Sequence, residues 1–375
     1  MTLRAAGLYA FLAFAGALNA CAGDAADAPR APAPILAPAP RSTAASPVCT
    51  PGGDGSYTSA LYDDLDRYCM VEIRDGDISP RWSTVMSYEL STPSFSDYAI
   101  KRRTVWMPPG TAAKYSATDV FEFPAGTVFT KSFGFPQEPA RSNGPIRWVE
   151  TRVLVRGDAG WTGVSYLWNE EQTAARKAPG GTVRVLDVRA TDGSVQHASY
   201  LVPSMQQCPK CHGRDASFVP IGPHADALSA DQIAHWTRAR ILDGAPTTPT
   251  ADSPAWNDPS APVDVRARLY LAANCSYCHS AKGEARTTGL FLTFEETDPA
   301  RLGRCKAPVA AGAATANLRF DVVPGMPDAS ILLHRMVATE PSIAMPEIGR
   351  SVVHTEGVEL VRSWIAGMSG DCALK

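Results

Sequence analysis

The sequence predicts an α+β multidomain chain, in which an antiparallel β domain precedes a small cysteine-containing segment and an α-helical domain. Strand-like runs fill residues 100–205, whereas apolar residues recur at helical spacing after residue 229. The 375 residues include 29 glycines and 31 prolines, and only 19% are charged, a composition that argues against a helix-only protein. The formal charge of -3 gives no sign of a basic surface, so we expect no nucleic-acid partner.

The first part of the chain is expected to lie outside the fold. Arg4 precedes an apolar run that is too short to span a bilayer comfortably, a pattern typical of a signal peptide over residues 1–20. Residues 21–48 are rich in alanine and proline and have little to bury. They predict an extended tether.

The letters "LNAC" at residues 18–21 resemble a bacterial lipobox. The resemblance implies export, lipidation of Cys21, and a periplasm-facing lipoprotein held to the membrane by its N-terminal lipid anchor. Ala22 favours the outer membrane. Asn19 is unusual in a lipobox, so a soluble periplasmic protein is the alternative.

Residues 49–205 are predicted to form a mainly β domain. Runs of β-branched and aromatic residues, separated by glycine, proline and Asp-Gly, predict five or more antiparallel strands: "GTVFTKSFGF", "IRWVETRVLVR", "WTGVSYLWN", "GTVRVLDVRA" and "VQHASYLVP". The letters "RATDGSV" at residues 189–195 predict a hairpin turn. Glu170, Glu171 and Asp187 are expected to be solvated residues rather than a catalytic carboxylate pair.

Three segments follow the β domain: a short cysteine-containing segment (206–243), a linker (244–262) and a helical domain (263–375). A capping-box pattern at Ser229 and Gln232 opens a helix in the first of them. Helical spacing predicts the following inward positions: Ile233, Trp236, Ile241, Val265, Leu269, Ala272, Val358, Val361, Trp364, Ile365 and Met368.

The chain contains nine cysteines. One is the predicted lipidation site, and four belong to two Cys-x-x-Cys-His motifs. Unpaired thiols are a liability in an oxidising compartment, so the remaining four should form disulfides. Sequence alone allows three pairings. Their positions, which bracket two apparent modules, predict Cys49–Cys69 and Cys305–Cys372.

The two Cys-x-x-Cys-His motifs are "CPKCH" at residues 208–212 and "CSYCH" at residues 275–279. A zinc ribbon usually has cysteine pairs about 15–20 residues apart and gives no reason for the histidines. A thioredoxin-like dithiol needs one motif in a βαβ unit. Covalent haem uses every residue, because two thiols add to the vinyl groups and the histidine ligates iron. The sequence therefore predicts two haem c groups. The predicted covalent attachment sites are Cys208, Cys211, Cys275 and Cys278, and the predicted axial ligands are His212 and His279.

The last domain resembles a class I cytochrome c, because a helix leads into "CSYCH", a methionine-containing loop follows, and an amphipathic helix ends the pattern. The resemblance implies a sixth ligand from that loop. Met345 precedes a proline shortly before the last helix and is the predicted ligand, with Met326 as the alternative. Met336 lies in an apolar helical stretch, where a core role is expected.

The sixth ligand of the first haem is left open by the sequence. No methionine follows His212 for more than a hundred residues. His224 is the local candidate, whereas His235 is expected on a helix surface. Met205 and Met107 are more remote candidates, and an open sixth position is equally compatible.

The whole arrangement resembles a family of bacterial diheme c-type cytochromes over roughly residues 85–370. The matching stretches include "STPSFSDYAIKRRTVWMPPGT", "ETRVLVR", "YLWNEEQT", "CPKCHG", "YLAANCSYCH" and "MPEIGRSVVH". The resemblance implies iron ligation by His212 and His279 and supports Met345.

Electron transfer between unidentified redox partner proteins is the function that this pattern predicts. Two alternatives remain at this point. One is a diheme peroxidase-like oxidoreductase with an open first haem, for which His224 could serve as an acid or base. The other is a haem-based redox or ligand sensor. Whether the protein is an enzyme is therefore undecided by the sequence.

Overall fold

A six-stranded antiparallel sheet fills the front half of the chain. The computed structural model describes residues 49–52, 61–139, 144–215, 217–247, 254–309 and 312–372, which belong to one compact unit. The strands are β1 (Val71–Arg74), β2 (Asp77–Pro80), β3 (Met86–Ser87), β4 (Ile100–Trp106), β5 (Ala113–Lys114), β6 (Val128–Pro136), β7 (Ile146–Gly157), β8 (Gly160–Trp168), β9 (Ala175–Lys177), β10 (Thr182–Arg189), β11 (Val195–Val202), β12 (Gly213–Arg214), β13 (Ser217–Phe218) and β14 (Leu242–Asp243). The α-helices are α1 (Cys208–His212), α2 (Ala230–Arg238), α3 (Val263–Cys275), α4 (Ile331–Val337) and α5 (Thr355–Ala366).

The strand order in the main sheet is β3-β4-β6-β7-β8-β9, and every neighbouring pair is antiparallel. Strands β1 and β2 form one hairpin, and β10 and β11 form another. The turn predicted at residues 189–195 joins β10 to β11, and Gly193 supplies its left-handed conformation with a φ of 88°. Mostly antiparallel sheets and five α-helices in the described residues agree with the α+β prediction at that coarse level.

The two faces of the main sheet have different partners, because successive side chains on a strand alternate between faces. One face presents Val128, Val153 and Val164 to a core with the chain around residues 61–80. The opposite face packs at one end against α2 through Phe129, and at the other end against β11 through Phe133. Between these two apolar ends, this second face lines a cavity.

Helix α2 begins where the sequence predicts. The Ser229 hydroxyl accepts a hydrogen bond from the Gln232 backbone N–H at 3.2 Å. The Gln232 side chain accepts instead from the Glu89 backbone N–H at 3.0 Å, so it joins the helix to the sheet rather than completing the capping box. Trp236 is fully buried and Ile233 is 8% exposed, as predicted.

The helices α3, α4 and α5 pack around an apolar core of their own. Leu271, Met336 and Val361 lie in it, so the core role expected for Met336 is confirmed. Of the predicted inward positions on α5, Val358, Val361, Trp364 and Ile365 are buried. On α3 the buried apolar side chains are Ala267, Leu269, Tyr270 and Leu271. Of the three predicted inward positions, Leu269 is therefore confirmed, whereas Val265 and Ala272 are only half-buried.

Both predicted cysteine pairs lie at disulfide distance, with Cα–Cα separations of 5.7 Å for Cys49–Cys69 and 5.2 Å for Cys305–Cys372. Part of the segment predicted as a linker packs on the fold, because Trp256 contacts the rings of Tyr270 and His354. Cys21, the signal peptide and the tether lie outside the described residues. Within the described ranges, no helix has the length and apolar character needed to cross a membrane.

Candidate cofactor site

The first motif forms the short helix α1. A 3-10 turn at Met205–Gln207 leads into it, and the Gln207 side chain accepts from the Ser204 backbone N–H at 2.9 Å. His212 ends the helix, and its Nδ1 lies 2.7 Å from the Val219 carbonyl oxygen. A carbonyl can only accept, so Nδ1 carries the proton and Nε2 is left as the free ligand atom.

A ring from β13, packed against the main sheet at β8, holds this imidazole in place. Phe218 stacks on the His212 ring at a centroid distance of 5.0 Å. Gly163 of β8 allows that approach, since a Cβ there would lie 3.1 Å from Phe218 Cζ and 2.7 Å from Leu154 Cδ2. Burial lowers the pKa of His212 to about 4, against the opposing effect of the Val219 carbonyl. The imidazole is therefore neutral at pH 7, the state in which it can bind a metal.

The second motif lies at the end of α3. The helix ends at Cys275, and the His279 backbone N–H donates to the Cys275 carbonyl at 2.8 Å. Asn274, just before the motif, is buried; its Oδ1 accepts from the Phe95 backbone N–H at 2.7 Å. The Nδ1 atom of His279 is buried and has no hydrogen-bond partner among the described residues. Burial lowers the pKa of the His279 imidazole, and the nearby Leu290 carbonyl opposes that effect.

The two motifs, far apart in sequence, touch each other. The Cys278 thiol donates to the Lys210 carbonyl at 3.2 Å, and it also interacts with the Cys211 thiol. All four cysteines and both histidines of the motifs line one cavity of about 850 Å³. This volume falls within the range of about 300–1,000 Å³ that is usual for ligand and cofactor sites.

The cavity does not have the donor arrangement of a zinc site. No group of three or more His, Cys, Asp or Glu side chains within the described ranges converges as a possible metal-ligand set. Four thiolates of a structural zinc site must surround one point. The Cys208, Cys211, Cys275 and Cys278 thiols do not, although none of them is in a disulfide.

Met345 is the only one of the three loop methionines that combines a position at the cavity with a place outside the apolar core. It lines the cavity, whereas Met326 is 58% exposed at the surface and Met336 belongs to the core of α4. Arg350 fixes the Met345 backbone, since its Nε and Nη2 donate to the Met345 carbonyl at 2.9 and 2.7 Å. The same guanidinium also donates to the carbonyls of Arg335 and Ala338, which closes the loop around it.

Among the candidates for the first haem's sixth ligand, only His224 lines the cavity. His224 forms an isolated antiparallel β-bridge with Val120. Burial lowers the pKa of its imidazole, so this ring is also neutral at pH 7. His235 is exposed on α2, as expected. Met107 is buried in the core around α2, and Met205 packs against the core on the other face of the sheet. These two methionines are therefore poor candidates.

The three carboxylates that the sequence analysis singled out in the β domain lie away from the cavity. Glu170, Glu171 and Asp187 are exposed, as expected, and none of them lines the cavity. The sequence did not indicate another charged group, a row of three cations on the cavity face of the sheet. Arg103 of β4 is paired with Lys131 of β6, which is paired with Arg152 of β7.

A second feature that the sequence did not indicate is the loop before β4. Asp97 accepts hydrogen bonds from the backbone N–H groups of Ser351 and Val352, and Phe95 stacks on His354 at 4.1 Å. This loop joins the sheet to the segment that carries Met345. No signal in either segment alone could have revealed the contact, because it depends on how the two halves of the chain pack.

Comparison with known proteins adds no relative. No family model, no curated protein and no solved structure matches this chain.

Proposed function

We propose that this protein is an exported diheme c-type cytochrome that transfers electrons. The observation that carries the proposal is the convergence of both Cys-x-x-Cys-His motifs on one cavity. There, the thiols do not meet around a single point, and the His212 imidazole is oriented through its Nδ1. A haem at each motif would supply an iron that cycles between ferric and ferrous states.

The residues of the chain have distinct roles in this proposal. Cys208 and Cys211 would hold one haem and Cys275 and Cys278 the other, each through thioether bonds. His212 and His279 would be the proximal ligands. The hydrogen bond to Val219 supports the role of His212, because proximal histidines usually donate their other nitrogen to an acceptor.

Met345 would be the sixth ligand of the second haem. A thioether opposite an imidazole raises the reduction potential, which suits a carrier. The contact between Cys278 and Lys210 supports close approach of the two cofactors, so that electrons could pass between them. Redox partner proteins would supply and remove those electrons.

Export and lipidation at Cys21 remain part of the proposal. The two disulfides support it, because such bonds persist in oxidising compartments. The periplasmic side of the outer membrane is the proposed location, with a soluble periplasmic form as the alternative.

A peroxidase-like or ligand-sensing role is the second candidate. Of the sixth-ligand candidates that the sequence offered for the first motif, His224 lines the cavity, whereas His235, Met205 and Met107 do not. If His224 does not bind the iron, that haem has an open face on which an acid or base residue could act.

The test is to produce the chain with c-type haem maturation and to measure covalent haem by pyridine haemochrome spectra and intact mass. Two haems are expected in the native chain. One haem is expected in each double variant, Cys208→Ala/Cys211→Ala and Cys275→Ala/Cys278→Ala. A chain that takes up no covalent haem would refute the proposal.

Carbon monoxide then separates the two candidate functions. If neither ferrous haem binds it, strong ligands occupy both irons and electron transfer is favoured. If the first haem binds it, the enzyme and sensor functions move ahead.

A further inference from the structure

The cavity face of the sheet carries three cations in one cross-strand row. Arg103, Lys131 and Arg152 lie directly opposite one another on β4, β6 and β7, and all three line the cavity. Like charges directly opposite on neighbouring strands destabilise a sheet. A row of three in a buried position therefore requires compensating negative charge.

Only part of that compensation comes from the protein. Arg152 forms a close ion pair with the fully buried Glu150, which also accepts from the Tyr200 hydroxyl at 2.6 Å. Arg103 contacts Glu89 through Nη1 at 3.2 Å, but the Glu89 side chain is 65% exposed, so the contact is weak. The Nη2 atom of Arg103 is buried and has no hydrogen-bond partner in the part of the chain that the structure describes.

Lys131, at the centre of the row, has no ion pair or hydrogen bond among the described residues. Its ammonium lies 4.9 Å from the centre of the Phe133 ring, a contact that compensates only a fraction of a buried charge. Burial, with further cations nearby, lowers the pKa of Lys131 well below its ordinary value. Two of the three cations therefore face the cavity without a sufficient anion.

The row lies beside the first motif. Lys131 and Arg152 both act electrostatically on the His212 imidazole and on the Cys211 thiol. A group attached at the first motif would therefore meet this row.

We propose that Arg103 and Lys131 bind the two propionate carboxylates of the haem attached at Cys208 and Cys211, with Arg152 and Glu150 as the fixed end of the row. This inference rests on the proposed function. It assigns the sheet a role as the wall that recognises the anionic edge of the first haem. The chemistry is that of charge-assisted hydrogen bonds from guanidinium and ammonium groups to carboxylates.

The test compares Lys131→Met and Arg103→Met with Lys114→Met, a matched control whose lysine is 74% exposed and pairs with an exposed Glu122. The readout is the midpoint potential of each haem in a spectroelectrochemical titration. The transition that is missing from the Cys208→Ala/Cys211→Ala variant identifies the first haem. Lys131→Arg, which keeps the charge, serves as the conservative variant.

Removing a cation beside the first haem should stabilise its ferric state and lower its potential. The expected change is at least tenfold in the reduction equilibrium, or about 59 mV for one electron. The second haem, Lys114→Met and Lys131→Arg should differ little from the native chain. Neither replacement leaves a buried carboxylate without a partner, since the Glu89 side chain that Arg103 contacts is 65% exposed, so both methionine variants should fold.

Equal potentials in Lys131→Met, Arg103→Met and the native chain would overturn the inference. A second result would also overturn the inference. Added acetate at constant ionic strength would shift the potential of the first haem in the native chain but not in Lys131→Met, because the row would then bind an external anion. Failure of the proposed function itself is recognised separately, by the absence of covalent haem at Cys208 and Cys211.

Discussion

Asp97 offers the sharpest test of how the sheet supports the Met345 segment. Its Oδ1 accepts from the backbone N–H groups of Ser351 at 2.7 Å and Val352 at 3.0 Å, and its Oδ2 accepts from the Ser351 hydroxyl at 3.0 Å. The residue is 1% exposed and has a left-handed φ of 48°.

Asp97→Ala should be severely destabilising. It leaves two buried backbone N–H groups without acceptors, at about 1–3 kcal/mol each. An alanine in the left-handed region adds about 1 kcal/mol. The expected loss is therefore about 3–7 kcal/mol in the free energy of unfolding, a large part of the about 5–15 kcal/mol that is typical of a folded protein.

Asp97→Asn is the matched control. Its amide oxygen can accept from both N–H groups, and its amide nitrogen can donate to the Ser351 hydroxyl oxygen. Asparagine also tolerates the left-handed region. Burial raises the pKa of Asp97, so the fold gains little from the negative charge itself. We expect a loss of less than about 1 kcal/mol, the size usual for a conservative change.

Urea unfolding followed by circular dichroism measures both variants. A loss below about 1 kcal/mol for Asp97→Ala would show that these hydrogen bonds contribute little, against the usual cost of unpaired buried N–H groups. Equal losses in Asp97→Ala and Asp97→Asn would refute the reasoning in another way, since charge rather than hydrogen-bond geometry would then hold the two segments together.

Three further predictions concern the helical half. In the proposed haem-loaded protein, Met345→Ala should allow carbon monoxide to bind the haem at Cys275 and Cys278 in an optical titration, whereas Met326→Ala, at an exposed site, should not; identical titrations would argue against Met345 as a ligand. Burial lowers the pKa of His354 from 6.5 to about 4, so the unfolded chain binds a proton that the fold excludes between these values. Stability should therefore fall by up to about 3 kcal/mol as the pH falls from 7 to 4, and His354→Gln should flatten this dependence in urea midpoints measured across the range. Replacing Cys305 and Cys372 together by alanine should cost about 4 kcal/mol, because that disulfide closes a loop of 67 residues; an unchanged thermal midpoint would contradict the expectation.

Local features of the sequence were sufficient for several elements. The Ser229 cap, the turn at residues 189–195 and the burial of Trp236 and Trp364 follow from interactions within a few residues of the chain or from one helical period. The division of the cysteines into motifs and pairs also required no folding information, since the Cys-x-x-Cys-His spacing sets four of them apart.

The face of α3 illustrates where periodicity was insufficient. Of the three positions expected to face inward, Leu269 is buried, but Val265 and Ala272 are less deeply buried than Ala267 and Leu271. A helix that contacts neighbours on two sides buries more than one stripe, and the sequence of the helix does not specify which neighbours it has.

The sequence by itself determined where the two Cys-x-x-Cys-His motifs lie and so which residues are proposed to hold cofactors, because each motif is contiguous in the chain. Only the tertiary structure decided that "CPKCH" and "CSYCH" share one cavity, and that Met345 rather than Met326 stands beside it. The cationic row depends on the fold even more strongly. Arg103, Lys131 and Arg152 are unremarkable in their own strands, and they become neighbours only through the antiparallel register of β4, β6 and β7. Register is set by pairing between distant segments, so no local pattern can encode it.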